Sequence, residues 1–209
     1  MLNRRQFLCH IGALTLLAAC GGNSKKYAKL GSGSTVLALG DSLTAGYGAS
    51  KGADYPNQLA QITGWNVVNG GISGDTCEQA LSRLPNLMAQ HNPKLVLVSI
   101  GGNDFLRKLP ESTTRNNITQ IIKHIQAAKV PVVLVAIPYF TAGALIGMVS
   151  EHELYDDLAK QHQIPLLKGV WADVLGDKSM KSDQIHGNDA GYRYFAEKMA
   201  DFLKKQGLR

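Results

Sequence analysis

Short runs of apolar and β-branched residues alternate along the chain with longer stretches whose apolar residues recur every three or four positions. The runs fall at residues 35–39, 66–69, 95–100, 132–137 and 164–167, and their length and continuity fit strands buried on both faces. Helical spacing covers residues 54–64, 78–89, 113–128, 150–162 and 190–206. Ala80, Leu81, Leu84, Leu87 and Met88 form one apolar stripe, Ile118, Ile121, Ile122 and Ile125 another, and Leu154 and Leu158 point inward from a third. Residues 168–182 read as a loop. Strands alternating with helices predict a three-layer α/β/α sandwich, with a parallel, flavodoxin-like sheet of about five strands and right-handed crossovers. No internal repeat interrupts the pattern, and 209 residues suit one domain.

The breaks in this pattern carry the chemistry. Three apolar runs end in polar, glycine-rich turns: Gly40-Asp41-Ser42, Gly70 to Gly74, and Gly101-Gly102-Asn103-Asp104. A parallel sheet brings such turns to one edge, where open α/β folds place ligands. Ser42 is there either as a nucleophile or as an ordinary turn or N-cap serine, and a serine is inert without a base. The last loop supplies Asp183 and His186. His186 can take the Ser42 proton while Asp183 bonds the other imidazole nitrogen. Backbone N–H groups of Ser42 and Gly74, with the Asn103 amide, can bind an oxyanion, and glycine at 74 keeps a Cβ out of the way.

Four blocks carry a resemblance to the SGNH, or GDSL-type, hydrolases: Gly40-Asp41-Ser42-Leu43, Asn69 to Gly74, Gly101 to Asp104, and Asp183 to His186. It covers about residues 34–205. It implies Ser42 as nucleophile, His186 as base, Asp183 as its orienting acid, and Ser42 N–H, Gly74 N–H and the Asn103 side chain as the oxyanion hole. Gly187 stands where many members have proline. Gly40 to Tyr47 and Gly101 to Arg107 look most like the thioesterase I, lysophospholipase and arylesterase subgroup, which implies a cofactor-free, metal-free, exported enzyme of broad ester specificity. The expected activity is that of a serine carboxylic ester hydrolase, acting as a monomer on small acyl esters, thioesters or lysophospholipids. An acetyl esterase acting on peptidoglycan or other glycans is the alternative within the family, and a non-enzymatic envelope lipoprotein the alternative outside it.

The first residues change the address. Arg4 and Arg5 precede a mostly apolar stretch, residues 7–19, too short to span a bilayer and suited to an export signal. Leu17-Ala18-Ala19-Cys20 resembles a lipobox, so residues 1–19 are expected to be a lipoprotein signal peptide. Residues 20–33 would then be a lipidated Cys20 with a flexible Gly/Ser/Lys tether, and residues 34–209 the hydrolase domain. Residues 3–8 also resemble a twin-arginine signal. The expected location is the bacterial cell envelope, lipid-anchored on the periplasmic or surface face, with Gly21 favouring the outer membrane. The net charge of +6 comes without a basic run interleaved with aromatics, which argues against nucleic acid.

Several residues take plainer readings. Cys77 suits a small buried hydrophobe at a helix start. Asp41 and Asp104 suit carboxylates that accept from nearby backbone N–H groups. Gly31-x-Gly33 precedes a strand and so fails as a dinucleotide fingerprint. His91, His124, His152 and His162 lack spaced partner ligands. Residues 139–149 are almost wholly apolar, and either pack as a buried turn or line an acyl groove through Leu145, Ile146 and Met148, assisted by Phe105 and Leu106.

Overall fold

The computed structural model describes residues 27–139 and 150–209. Five parallel strands form its central sheet: β1 (Thr35–Gly40), β2 (Asn66–Gly71), β3 (Leu95–Ser99), β4 (Val132–Val135) and, after a two-stranded ribbon of β5 (Pro138–Tyr139) and β6 (Ser150–Glu151), β7 (Leu166–Leu167). The sheet order is β2-β1-β3-β4-β7, the flavodoxin-like order. Helices α1 (Ser42–Ala45), α2 (Tyr55–Thr63), α3 (Cys77–His91), α4 (Gly102–Leu106), α5 (Glu111–Ala127), α6 (Leu154–His162), α7 (Val170–Gly176) and α8 (Asp189–Lys205) complete the order.

The direction of travel decides the layers. From β1 the chain moves to β2 on one side, and from β2 onward it moves the other way, over β1 to β3, β4 and β7. Right-handed crossovers therefore put α2 on one face and α3, α5 and α6 on the other. α2 and α7 pack against α8, and α3 and α6 against α5, in keeping with that division. The central strands are apolar on both faces because both are covered: Val36 to Leu39 and Leu95 to Val98 have no exposed surface. Each valine and leucine among them contributes about 1.5–3 kcal/mol of burial.

Helix ends follow local chemistry. Asp54 caps α2 by accepting from the Asn57 N–H, and Thr76 and Gln79 form a reciprocal capping box on α3, which begins at Cys77 and runs two residues beyond the expected end. Four expectations need correction. The stretch 150–162 is not one helix: Ser150 and Glu151 pair with Tyr139 and Pro138, and the helix starts at Leu154. The strand at 164–167 is only Leu166–Leu167. The loop expected at 168–182 contains α7, whose Val170, Trp171, Val174 and Leu175 are buried. The expected turns at Ser42 and Asn103 are single helical turns, α1 and α4.

Candidate active site

The sheet reverses its winding at β1, which β2 flanks on one side and β3 on the other, so the crevice above β1 and β3 is the topological switch point. Register brings the strand ends level there: Gly40 pairs with both Gly71 and Ser99. Neither glycine tolerates a side chain. A Cβ on Gly40 would strike Thr44 Oγ1 and the Ser99 carbonyl, and one on Gly71 would strike the Thr44–Ala45 backbone. Ser42 thus begins α1 with its backbone pressed onto two strands. Asp41, buried, caps this turn by accepting from the Leu43 N–H at 3.0 Å. Burial, offset partly by that bond and reinforced by the nearby carboxylates of Asp104 and Asp75, pushes its pKa up to about 7.

Ser42 Oγ lies 2.9 Å from His186 Nε2, and His186 Nδ1 lies 2.8 Å from Asp183 Oδ2. An ionised carboxylate only accepts, so Nδ1 carries the proton, Nε2 is the acceptor, and the Ser42 hydroxyl donates to it. Asp183 Oδ1 also accepts from the backbone N–H groups of Ile185 (2.8 Å) and His186 (2.9 Å), so one side chain shapes the loop and orients the ring. Burial pushes the Asp183 pKa upward, but the His186 hydrogen bond, the two backbone N–H groups and the electrostatic attraction of the imidazole outweigh it and hold the carboxyl below its usual range. The Tyr47 ring lies 4.4 Å from the imidazole centroid, and Tyr192 fixes it by donating to the Tyr47 carbonyl at 2.7 Å.

The opposite wall comes from the second and third turns. Gly74 has φ +87°, a conformation that L side chains rarely adopt. Arg107 donates to its carbonyl at 2.7 Å, and Asn103 Nδ2 donates to the Asp75 carbonyl at 3.0 Å, leaving its second amide hydrogen for a ligand. Among the described residues, the Ser42 and Gly74 N–H groups donate to no protein acceptor. Arg83 ties two turns together, bonding Asp75 Oδ2 at 2.7 Å and the Gly40 carbonyl at 2.8 Å.

Asp41, Ser42, Gly74, Asn103 and His186 line a cleft of about 190 Å³, together with Leu43, Tyr47, Leu106, Ile137 and Ile185. Of the residues expected along an acyl groove, Leu106 lines this cleft. Phe105 lies beside it in an aromatic cluster, stacked on His152 at 4.9 Å and edge-on to Tyr139 and Tyr155. Leu145, Ile146 and Met148 lie outside the described residues, as does Cys20. Asp104 accepts from the Cys77 N–H at 2.9 Å, the backbone role expected of it. Cys77 is fully buried, and burial followed by the Asp104 charge raises its thiol well above the usual range, so it packs as a hydrophobe. Sequence reasoning missed Tyr47, Arg83, Arg107, Ile137 and Ile185. Tyr47 and Arg107 end two of the motif stretches and Ile185 lies within a third, but no spacing assigned them a role, and Arg83 stands outside every motif.

Comparison with known proteins agrees with this architecture. The chain is 38% identical over 175 residues to thioesterase 1/protease 1/lysophospholipase L1 of Escherichia coli K12, covering 81% of this chain and 83% of that protein. It is 32% identical over 178 residues to an arylesterase of Vibrio mimicus, covering 81% and 88%. The crystal structure of the psychrotrophic esterase EstA from Pseudoalteromonas, inhibited by monoethylphosphonate, superposes with a TM-score of 0.70 at 28% identity, covering 82% of this chain and 97% of that one. Residues 38–194, which contain every polar group of the cleft, match the GDSL-like lipase/acylhydrolase family, and the chain belongs to that family of ester hydrolases.

Proposed function

We propose that the protein is a serine esterase that cleaves carboxylic acyl esters through an acyl-enzyme. One observation carries this reading: an unbroken hydrogen-bond relay, Asp183 to His186 to Ser42, ends in a cleft that also presents unpaired N–H groups. Ser42 Oγ attacks the ester carbonyl as its proton passes to His186 Nε2. The oxyanion accepts from Ser42 N–H, Gly74 N–H and Asn103 Nδ2. His186 then gives its proton to the leaving alcohol, or to a thiol in a thioester, and the acyl group stays on Ser42. Water repeats the sequence, with His186 as base, and releases the acid and the free serine. Leu43, Leu106, Ile137 and Ile185 suit the acyl part of the substrate, and similarity to a thioesterase/lysophospholipase and an arylesterase supports breadth in the leaving group.

A fluorophosphonate probe should label the wild type at Ser42 and leave Ser42→Ala unlabelled; labelling of the alanine variant would remove Ser42 from the role. A series of p-nitrophenyl esters of rising acyl length should show kcat/KM climbing with chain length, because each buried methylene contributes about 0.8 kcal/mol, roughly fourfold. Preference for acetate throughout would favour the acetyl esterase reading. We also propose that Cys20 is the lipid-modified first residue of the mature protein, holding residues 34–209 at the cell envelope by a short tether. Radiolabelled palmitate should enter the wild type and not Cys20→Ala; equal unlabelled mature protein from both would mark an ordinary secretory signal.

A further inference from the structure

The edge of the sheet opposite the cleft has its own charge. In a parallel sheet the strand starts lie together, and the helices that precede them end there. The ends of α3, α5 and α6 lead directly into β3, β4 and β7. α8 joins them, since the Leu208 carbonyl accepts from the Leu30 N–H at 2.9 Å and Arg209 donates to the Ile62 carbonyl at the end of α2. Among the described residues, seven exposed lysines occupy this edge: Lys29 in the segment before β1, Lys94 before β3, Lys123 and Lys129 around the end of α5, Lys160 in the last turn of α6, and Lys204 and Lys205 closing α8. None of them pairs with a carboxylate among the described residues. The acid closest in sequence to those on α8 is Asp201, one turn before the end of that helix. Of the other carboxylates on these helices, Glu197 sits mid-way along α8 and pairs with Arg193, and Glu78, Glu111, Asp156, Asp157 and Asp189 stand at the far ends.

Magnitudes decide whether this is only compensation of helix dipoles. Each helix C-terminus carries about half a negative charge, so the five that converge here supply roughly −2.5 in all, and the lysines exceed it. α5 has 17 residues. At 1.5 Å per residue it is about 25 Å long, about three screening lengths at physiological salt. The acidic ends therefore do not cancel the basic edge. His162, at the end of α6, registers that field: burial first, and then the charge of Lys123, hold its imidazole below the usual range.

The chain enters the domain at this same edge. Tyr27 and Leu30 line a hollow of about 690 Å³ that Lys94 and Lys129 flank. The 26 residues preceding Tyr27 include the apolar stretch 7–19. From this juxtaposition we infer that the lysine edge docks on a bilayer surface bearing anionic phospholipid headgroups, and that the Ser42 cleft faces away from that bilayer, towards water. Lysines spread as separate point charges suit a headgroup layer, whereas nucleic-acid readers cluster arginine and aromatics. A basic face beside an apolar attachment within residues 1–26, the stretch 7–19 in the unprocessed chain or a lipid on Cys20 in the processed one, gives the two signals that stable membrane attachment requires. The inference does not depend on the ester chemistry, and it adds an orientation to the tether without needing lipid on Cys20.

The test is co-sedimentation of the purified full chain with vesicles of phosphatidylcholine alone, or with about a third of phosphatidylglycerol. Any apolar attachment through residues 1–26 contributes to both compositions, so the ratio of the two affinities isolates the electrostatic part. Each lysine near an anionic surface contributes about fivefold, about 1 kcal/mol. Lys94→Gln/Lys129→Gln/Lys205→Gln should therefore lower the ratio about 100-fold, whereas Lys51→Gln/Lys108→Gln/Lys178→Gln, with the same loss of charge, should keep most of it. Both triple variants should hydrolyse a soluble short ester at the wild-type rate. Raising salt from about 0.05 M to about 0.5 M should erase the wild-type preference. Equal losses in the two variants would reduce the effect to net charge, and no preference for anionic vesicles would overturn the inference. A duplex DNA that bound the lysine edge as tightly as the vesicles would also overturn it, in favour of polyanions at large.

Discussion

The two sides of the cleft are held in place by different means. Ser42 inherits its position from the core: Gly40 is paired on both sides, Asp41 is buried beneath it, and Arg83 bridges Gly40 to Asp75. His186 sits in a surface loop whose Asp183 side chain is 44% exposed, and its position comes from hydrogen bonds made within residues 182–188 and from Tyr47. The geometry of Ser42 is thus coupled to global stability, and that of His186 is local. Substitutions on the first side should trade stability and activity together; those on the second should separate them.

The sharpest separation is expected at the base. His186→Ala should cost on the order of 10³-fold or more in kcat with an unchanged melting temperature, and Ser42→Ala/His186→Ala should fall little further, because the two act as a unit. Additive losses in kinetics of the double variant would break that unity. Next comes Asn103→Ala, which removes one preorganised donor: kcat should fall roughly 10²–10³-fold, about 3–4 kcal/mol, with KM changing much less. A normal kcat with a raised KM would move Asn103 to ground-state binding. Smaller still is Gly71→Ala on the core side. Its Cβ meets backbone that cannot swing aside, so urea denaturation should show a loss of about 1–3 kcal/mol, and activity should fall with it. The least effect is expected at Gly187→Ala in the histidine loop. A Cβ there would meet Tyr192 and Val174 at ordinary contact distances of 3.5 Å. Stability should hold or rise by about 0.4–1 kcal/mol through a less flexible unfolded chain. A marked loss of kcat at full stability would mean that the loop must flex during turnover.

This contrast also explains what the sequence disclosed. The sheet was legible because fully buried strands leave continuous apolar runs, as at Leu95 to Val98, and because each catalytic-edge turn had to break its run with glycine. Asp183 and His186 were legible because their partnership is local, three residues apart. The helix α7 was not: its Val170, Trp171, Val174 and Leu175 have a helical stripe, but only seven residues carry it. The Ser150–Glu151 strand exists only because Tyr139 and Pro138 lie opposite, a pairing that no local propensity encodes. Arg83 and Arg107 escaped notice for the same reason, since their partners, the carbonyls of Gly40 and Gly74, are 43 and 33 residues away. The carbonyl of Tyr47 meets Tyr192 across 145 residues.

The 144 residues between Ser42 and His186 also bear on how the molecule comes into being. Closing a chain segment of that length costs about 4 kcal/mol of entropy plus a constant, (3/2)RT ln n, which hydrogen bonds between two loops cannot repay alone. The sheet and α8 must be packed first, with Asp189 accepting from the Ser50 N–H and Tyr192 donating to Tyr47. A ribosome-bound chain that has been released only through α4 therefore holds Ser42, Gly74 and Asn103, but neither Asp183 nor His186. In refolding experiments, regain of hydrolysis should trail regain of sheet structure, because the contact between Ser42 and His186 spans most of the domain and closes only on a packed sheet.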